Sequence, residues 1–181
     1  IVASSAIAIG NQAKATNQSA LAQGDRATAT GKRAIAQGTQ ANSTGEDAIA
    51  QGTETKATGA YAIAQGRKAE ATAENAIAVG TSSNVSGANS VALGTSSNVS
   101  GANSVALGAN ITKLTTENSV VLGANSTEVV GTTGASHAVQ TVNDATVRTI
   151  AGPNFTYSGF VGKPADAGHY VSIGQAGKER Q

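Results

Sequence analysis

The sequence predicts an all-β protein, a parallel β-roll (a solenoid) of 14-residue turns, and three observations support this. Gly recurs every 14 residues from Gly10 to Gly108, and Gly123 follows after a step of 15. The same apolar run precedes each of these glycines, as in Ala34-Ile35-Ala36-Gln37. The units 81–94 and 95–108 are identical (TSSNVSGANSVALG). A fixed period with a shared motif is typical of a repeat array in which each unit stacks on its neighbours.

Each unit has room for two short strands and two tight turns. The first predicted strand is the apolar run before the periodic Gly. The second is a shorter stretch of small and polar residues, such as Ala27-Thr28-Ala29-Thr30, and Gly31 follows it. In a stack, each strand pairs with its equivalents above and below at about 4.8 Å, so about nine turns would make a prism about 40 Å tall.

The two predicted strands differ in the faces that they bury. The second alternates small and polar residues, which indicates a sheet with one solvated face. Its outward rows are Lys14, Thr28, Asn42, Lys56, Glu70, Asn84 and Asn98, and Thr16, Thr30, Thr44, Thr58 and Thr72. The first strand is apolar at nearly every position, as expected of a strand that is buried on both faces. One face closes the coil and the other needs a partner, so the sequence predicts a homo-oligomer of identical chains packed around an axis.

Four glutamines interrupt the apolar pattern of the first strand. Gln23, Gln37, Gln51 and Gln65 occupy the position that Ile9, Val79, Leu93, Leu107 and Leu122 hold in other turns. A buried amide without a partner is costly, but stacked Gln side chains can hydrogen-bond from rung to rung. We therefore expect the Ile and Gln positions to face the oligomer axis and the Ala positions to fill the coil.

The composition excludes several classes of protein. With 22 Gly and 3% aromatic residues, one chain carries few large side chains for a core, so stacking or association has to supply burial. A net charge of +1 with 13% charged residues gives no basic footprint for nucleic acid. There is no Cys, hence no disulfide framework, and no apolar run long enough to span a membrane. We interpret the chain as a piece of a longer protein, with its targeting and membrane-anchoring segments outside it.

Beyond the repeats the period is lost and then returns once. Residues 1–128 hold the regular turns, and residues 129–168 are interpreted as an insertion. Tyr170-Val171-Ser172-Ile173-Gly174 restores the motif, and the charged ending GKERQ looks like a lead into another element. We therefore expect three segments, 1–128, 129–168 and 169–181.

Four consecutive motifs carry a resemblance to a known family. Asn75 to Gly80, Asn89 to Gly94, Asn103 to Gly108 and Asn118 to Gly123 resemble the NSVAIG-type motif of YadA-like head domains in trimeric autotransporter adhesins. The 14-residue spacing agrees over the repeats, and residues 170–181 look like the opening of a neck module of the same family.

The resemblance implies a left-handed parallel β-roll that forms a homotrimer on a bacterial cell surface, above a stalk and an outer-membrane anchor. It implies binding to host matrix proteins (fibronectin, laminin or collagen) or to a host cell-surface glycoprotein. The motif turns are implicated in collagen binding in the type member of the family, and the resemblance therefore points to Ser90, Val91, Ala92 and Leu93, and to Ser104, Val105, Ala106 and Leu107.

Three further residues are candidate ligand contacts. Binding hot spots are enriched in aromatic and Arg side chains, which are scarce in this chain. Tyr61 and Arg67 lie on predicted turns, and Lys163 lies in the insertion. With small inward side chains and short turns, we expect a flat outer surface rather than a pocket, weak single-site affinity of about micromolar, and avidity from several copies.

Other functions are disfavoured by the pattern of polar residues. His137 and His169 have no partners at metal-ligand spacing, and no nucleophile elbow occurs, so neither an enzyme nor a cofactor is expected. Basic turn residues such as Arg26, Arg33 and Lys68 alternate with acidic ones, which favours a mixed solvated surface. The alternative from another class is an ice-binding β-solenoid with an outward Thr ladder, although this ladder is a single row.

Overall fold

The computed structural model describes residues 5–126 and, beyond them, the backbone of the strands at 144–147, 155–158, 171–175 and 178–179. All regular structure among these residues is β-strand. Two stacks of short parallel strands form the walls of the roll, with about eight turns. This confirms the predicted all-β parallel solenoid with a 14-residue period.

The first sheet contains the apolar runs. It has 11 strands, which lie side by side in chain order. Their bounds are β1 (Ile7–Ile9), β3 (Leu21–Gln23), β5 (Ile35–Gln37), β7 (Ile49–Gln51), β9 (Ile63–Gln65), β11 (Ile77–Val79), β13 (Val91–Leu93), β15 (Val105–Leu107), β16 (Val120–Leu122), β19 (Val171–Gln175) and β20 (Lys178–Glu179). Each repeat strand pairs in parallel with its equivalent one unit away, for example Ile35 with Ile49.

The second sheet contains the shorter runs and has seven parallel strands. Its strands are β2 (Lys14–Ala15), β4 (Thr28–Ala29), β6 (Asn42–Ser43), β8 (Lys56–Ala57), β10 (Glu70–Ala71), β12 (Asn84–Val85) and β14 (Asn98–Val99). The sheet continues as a single bridge from Val99 to Leu114 in the 15-residue unit. About nine turns were predicted, and the structure completes about eight, because β16 is followed among residues 123–126 by a turn and no second strand.

The remaining strands lie beyond the regular turns. β17 (Asp144–Val147) and β18 (Phe155–Ser158) form an antiparallel pair, and β19 pairs with β20 in the same way. β19 also pairs in parallel with β16, so that Val120 lies opposite Val171. This is the register expected if residues 170–174 restore the motif. The division into segments 1–128, 129–168 and 169–181 stays a prediction, since most of residues 129–168 lie outside the described part.

The interior of the roll is filled mostly by Ala. Ala22, Ala36 and Ala50 in the first sheet are completely buried, and so are Ala29 and Ala57 in the second. Since side chains alternate along a strand, the Ile and Gln neighbours then point outward. The expected division, with Ala inside and Ile or Gln outside, is confirmed. Towards the C-terminal end of the stack the core side chains become larger, and Ile111, Leu114 and Val121 are completely buried there.

The turns repeat at half the length of the unit. From Ser5 to Asn110 every seventh residue has a positive φ although it is not Gly, and Asn118 and Asn125 continue the series. The periodic Gly is also held at positive φ, for example 150° at Gly94. A Cβ at Gly94 would lie 2.0 Å from the carbonyl oxygen of Gly108 in the next coil. Only Gly therefore fits where successive coils approach most closely.

Candidate adhesive surface

The roll presents two long outer faces, one on each sheet. The apolar face is defined by the outward residues of the first sheet. Its rows are Ile7, Leu21, Ile35, Ile49, Ile63, Ile77, Val91, Val105 and Val120, and Ile9, Gln23, Gln37, Gln51, Gln65, Val79, Leu93, Leu107 and Leu122. Ile7 and Ile9 are 52% and 56% exposed, and Leu93 and Leu107 are 42% and 39% exposed. A continuous apolar stripe of this kind is characteristic of an interaction surface.

The glutamines of the apolar face form a ladder of side-chain amides. Nε2 of Gln37 donates to Oε1 of Gln23 at 3.2 Å, and Nε2 of Gln51 donates to Oε1 of Gln37 at 2.7 Å. Gln65 donates to Gln51 in the same way at 2.6 Å. The predicted rung-to-rung hydrogen bonding is thus present. Each inner amide uses one donor and one acceptor along the ladder, which lowers the cost of covering this face.

The polar face is defined by the outward residues of the second sheet. One row is Lys14, Thr28, Asn42, Lys56, Glu70, Asn84 and Asn98, and the other is Thr16, Thr30, Thr44, Thr58, Thr72, Ser86 and Ser100. Nζ of Lys56 lies 2.8 Å from Oε1 of Glu70 one coil away. The Thr row is single and has charged neighbours, so the surface lacks the regular double array expected of an ice-binding protein.

Ion pairs connect the turns of neighbouring coils. The Arg33 guanidinium donates to Asp47 and also, at 2.9 Å, to Glu46; the bond to Asp47 lowers the pKa of the Asp47 carboxyl, and Asp47 first and then Glu46 raise the pKa of Arg33. Hydrogen bonds from Asn11 and then Arg26 lower the pKa of Asp25. The expected mixed, solvated charge pattern is therefore present on the turns. These groups are well exposed, so each pair contributes little to stability on its own.

The motif residues predicted to bind ligand fall on opposite sides of the sheet. Ser90, Ala92, Ser104 and Ala106 are completely buried inside the coil. The Ser90 hydroxyl donates to the carbonyl oxygen of Gly101 at 2.8 Å, which ties two coils together. Val91, Leu93, Val105 and Leu107 point outward on the apolar face. This second group can contact either another copy of the chain or a host ligand, but not both at once, whereas the first group shapes the backbone; the binding role itself stays a prediction.

The other predicted contacts are not brought together. Tyr61 is 51% exposed on the turn before β9, and Arg67 is exposed on the turn after it. They therefore lie at opposite ends of one strand rather than in a single cluster. Lys163 lies outside the described residues, as do His137 and His169.

A shallow groove lies on the polar face, where the sequence predicted a flat surface. It has a volume of about 370 Å³ and is lined by Gln40, Asn42, Glu54, Lys56, Lys68 and Glu70. The residues that line the groove do form a recognisable pattern in the sequence. Glu54 and Lys56 in one unit are followed 14 residues later by Lys68 and Glu70, with the charges exchanged.

The described residues show neither a metal cluster nor a membrane-spanning helix. No group of three or more His, Asp or Glu side chains in that part of the chain is placed to hold a metal ion. Within the same residues, no helix is long and apolar enough to cross a membrane.

Comparison with protein families identifies the repeat. A family model described as "YadA head domain repeat (2 copies)" matches residues 3–31, 15–41, 29–55, 43–66, 57–83 and 86–110, which together make up more than half of the chain. No curated protein matches the chain. Both faces described above lie largely within the matched residues.

Proposed function

The chain belongs to the family of YadA head domains, and from this premise we propose that it is the head of a homotrimeric autotransporter adhesin on a bacterial outer membrane. Members of the family are surface-exposed adhesins rather than enzymes. The proposed partner is a host matrix protein (fibronectin, laminin or collagen) or a host cell-surface glycoprotein.

One observation carries the trimeric part of this proposal, namely the length of the apolar face. Exposed Ile7 and Ile9 stand at one end of this stripe, and half-exposed Leu93 and Leu107 stand near the other. At about 25 cal/mol per Å² of apolar area, covering such a stripe favours association strongly. Three copies around an axis would cover it along its whole length, and they would bring the Gln ladders of the three chains together.

The oligomer is tested by a matched pair of substitutions on the two faces. Gln37→Glu would place three carboxylates near the proposed axis, where they repel each other and are poorly solvated, so we expect the trimer to weaken or dissociate. Thr44→Glu adds the same charge on the exposed polar face and should leave the trimer intact. Sedimentation velocity measures both. A stable monomer of the parent chain at micromolar concentration would contradict the proposal.

Adhesion is tested with immobilised partners. The chain is passed over surfaces coated with collagen, fibronectin, laminin or host cell-surface glycoprotein, and retention is compared at low and high coating density. We expect weak retention at low density and strong retention at high density, since avidity multiplies weak contacts. No retention on any coating at high density would refute the adhesive function.

A further inference from the structure

We propose that the groove on the polar face is a binding site for an uncharged sugar residue, used three times in the trimer. This rests on the proposed function, because it names the chemical group on a host glycoprotein that one part of the head would bind. The argument depends on the layout of six side chains, on their charge balance and on one amide oxygen that lacks a partner.

The groove is built from three neighbouring coils with two residues from each. Gln40 and Asn42 come from the first coil, Glu54 and Lys56 from the second, and Lys68 and Glu70 from the third. Strand pairing places Asn42 beside Lys56 and Lys56 beside Glu70. With about 4.8 Å between coils, the six residues span about 10 Å along the roll. A volume of about 370 Å³ lies near the low end for small-ligand sites.

The charges in the groove cancel in pairs. Lys56 is 2.8 Å from Glu70, and Lys68 is 3.5 Å from Glu54, so two cations balance two anions. A charged ligand would have to compete with one of these pairs. An uncharged ligand gains hydrogen bonds without separating them, and carboxylate, ammonium and amide groups together accept from and donate to hydroxyl groups.

Asn42 supplies the observation that points to a ligand. Its Oδ1 atom is shielded from solvent and has no hydrogen-bond partner in the protein. A buried acceptor without a partner is costly, and a turn of the Asn42 side chain that brings Oδ1 to a donor in the groove would offset that cost. Hydroxyl groups, or the N–H of an acetamido group, are the donors that sugars carry. The lining has no aromatic or aliphatic side chain, which suits a ligand that is polar on every edge.

The site stays accessible in the proposed assembly. The groove lies on the polar face of the second sheet, whereas the apolar face of the first sheet is the one proposed to pack around the axis. A trimer would therefore present three grooves on its outside. Low single-site affinity would be raised by simultaneous binding to a dense glycan layer.

The test is a titration of the ¹⁵N-labelled full chain followed by NMR. The probes are methyl β-galactopyranoside and methyl N-acetyl-β-glucosaminide, with glucuronate as the charged comparison. We expect saturable shifts of the Gln40 and Asn42 side-chain amides with one of the neutral sugars and a Kd of about 1 mM. Asn42→Ala should weaken binding about fivefold. Asn98→Ala, in the same row four coils away, should leave it unchanged.

A second matched pair keeps the test valid if Asn42→Ala does not fold. Gln40→Ala should weaken binding, and Ser96→Ala, at the equivalent turn position, should not. The proposal would be overturned if neither neutral sugar gave a saturable shift at about ten times the expected Kd. Equal losses of sugar binding in the two variants of a matched pair would also overturn it, and so would tighter binding of glucuronate than of the neutral sugars. Retention of the same variants on coated surfaces separates the two proposals, since adhesion without sugar binding would overturn this one alone.

Discussion

Residues 11–74 and residues 75–112 share one backbone but stabilise it with different side chains. The charged segment, residues 11–74, contains seven basic and six acidic residues, whereas the uncharged segment, residues 75–112, contains none. Strand pairing, turn conformation and the buried inward positions are the same in both. The fold therefore depends on the inward and turn positions, and the outward positions are free to vary as long as neighbours one coil apart match.

The matching takes a different chemical form in each segment. In the charged segment, outward residues pair as ions or as Gln amides, for example Arg33 with Glu46. In the uncharged segment, Asn side chains form the ladder on the turns, where Asn75 donates to Asn89 at 2.9 Å and Asn89 donates to Asn103 at 3.3 Å. Since Asn tolerates the left-handed backbone region better than most residues, it serves the turn and the ladder together.

The largest loss of stability is expected from substituting the periodic Gly, which the two segments share. Gly38→Ala and Gly94→Ala would each force a side chain onto a positive φ, with Cβ 2.4 Å from the Gly52 oxygen and 2.0 Å from the Gly108 oxygen, respectively. We expect each to lower the free energy of unfolding by about 3 kcal/mol, measured by urea denaturation. Thr95→Ala, on an exposed neighbouring position, is the control. A large loss at only one Gly would contradict a shared turn.

A smaller effect should separate two residues at the same place in identical units. The Ser97 hydroxyl donates to the Gly108 oxygen at 2.5 Å, whereas the buried Ser83 hydroxyl has no partner. Ser97→Ala should therefore cost about 1 kcal/mol, and Ser83→Ala should be nearly neutral. Thermal melts of the two variants measure the difference. Equal costs would show that the two hydroxyls are bonded alike in solution.

Exchanging turn residues between the segments should shift stability in opposite directions. Tyr61 and Asn89 both have positive φ, at 59° and 54°. Tyr61→Asn should raise the free energy of unfolding by about 0.5–1 kcal/mol, and Asn89→Tyr should lower it by a similar amount, because Asn is less strained in this region. Melting temperatures report both changes. Retention on coated surfaces then tests the binding role of Tyr61, since a more stable variant that adheres less would support it.

The smallest effect is a dependence on pH that belongs to the charged segment. The pKa values of Asp25 and Asp47 are lowered by their hydrogen bonds, so their contribution to stability is complete above the ordinary Asp pKa of about 4 and is lost as the pH falls below it. The melting temperature should therefore drop modestly between about pH 5 and pH 3. Asp47→Asn should reduce this drop, whereas Asn103→Ala should not. If the melting temperature of Asp47→Asn fell as much as that of the parent chain, the pH dependence would come from other groups.

The repeat made the fold predictable, because the same constraint is written many times in the sequence. The 14-residue Gly spacing and the recurrence of a small residue at positions such as Ala36 and Ala50, between larger neighbours, were enough to place both sheets and the interior. The Gln ladder followed from the cost of an unpaired amide. The burial of Ser90 and Ser104 could not be predicted from the binding motif, because the order of residues in a motif does not by itself show which of them point into the coil.

The groove was harder to predict because it depends on side-chain conformation across three coils. Sequence spacing indicated that Lys56 and Glu70 would be neighbours, but it could not show how far the longer side chains would stand above Asn42. The sequence did not show either whether Tyr61 and Arg67 lie together in one binding site. Only their side-chain chemistry pointed to binding, and β9 separates them in the structure.

The two identical units, 81–94 and 95–108, make the height of the roll adjustable. Each copy added would lengthen the roll by about 4.8 Å and leave every ladder continuous, because the new coil matches both of its neighbours. The reach of the head can thus change in fixed steps over evolution without a redesign of the core, the turns or either face.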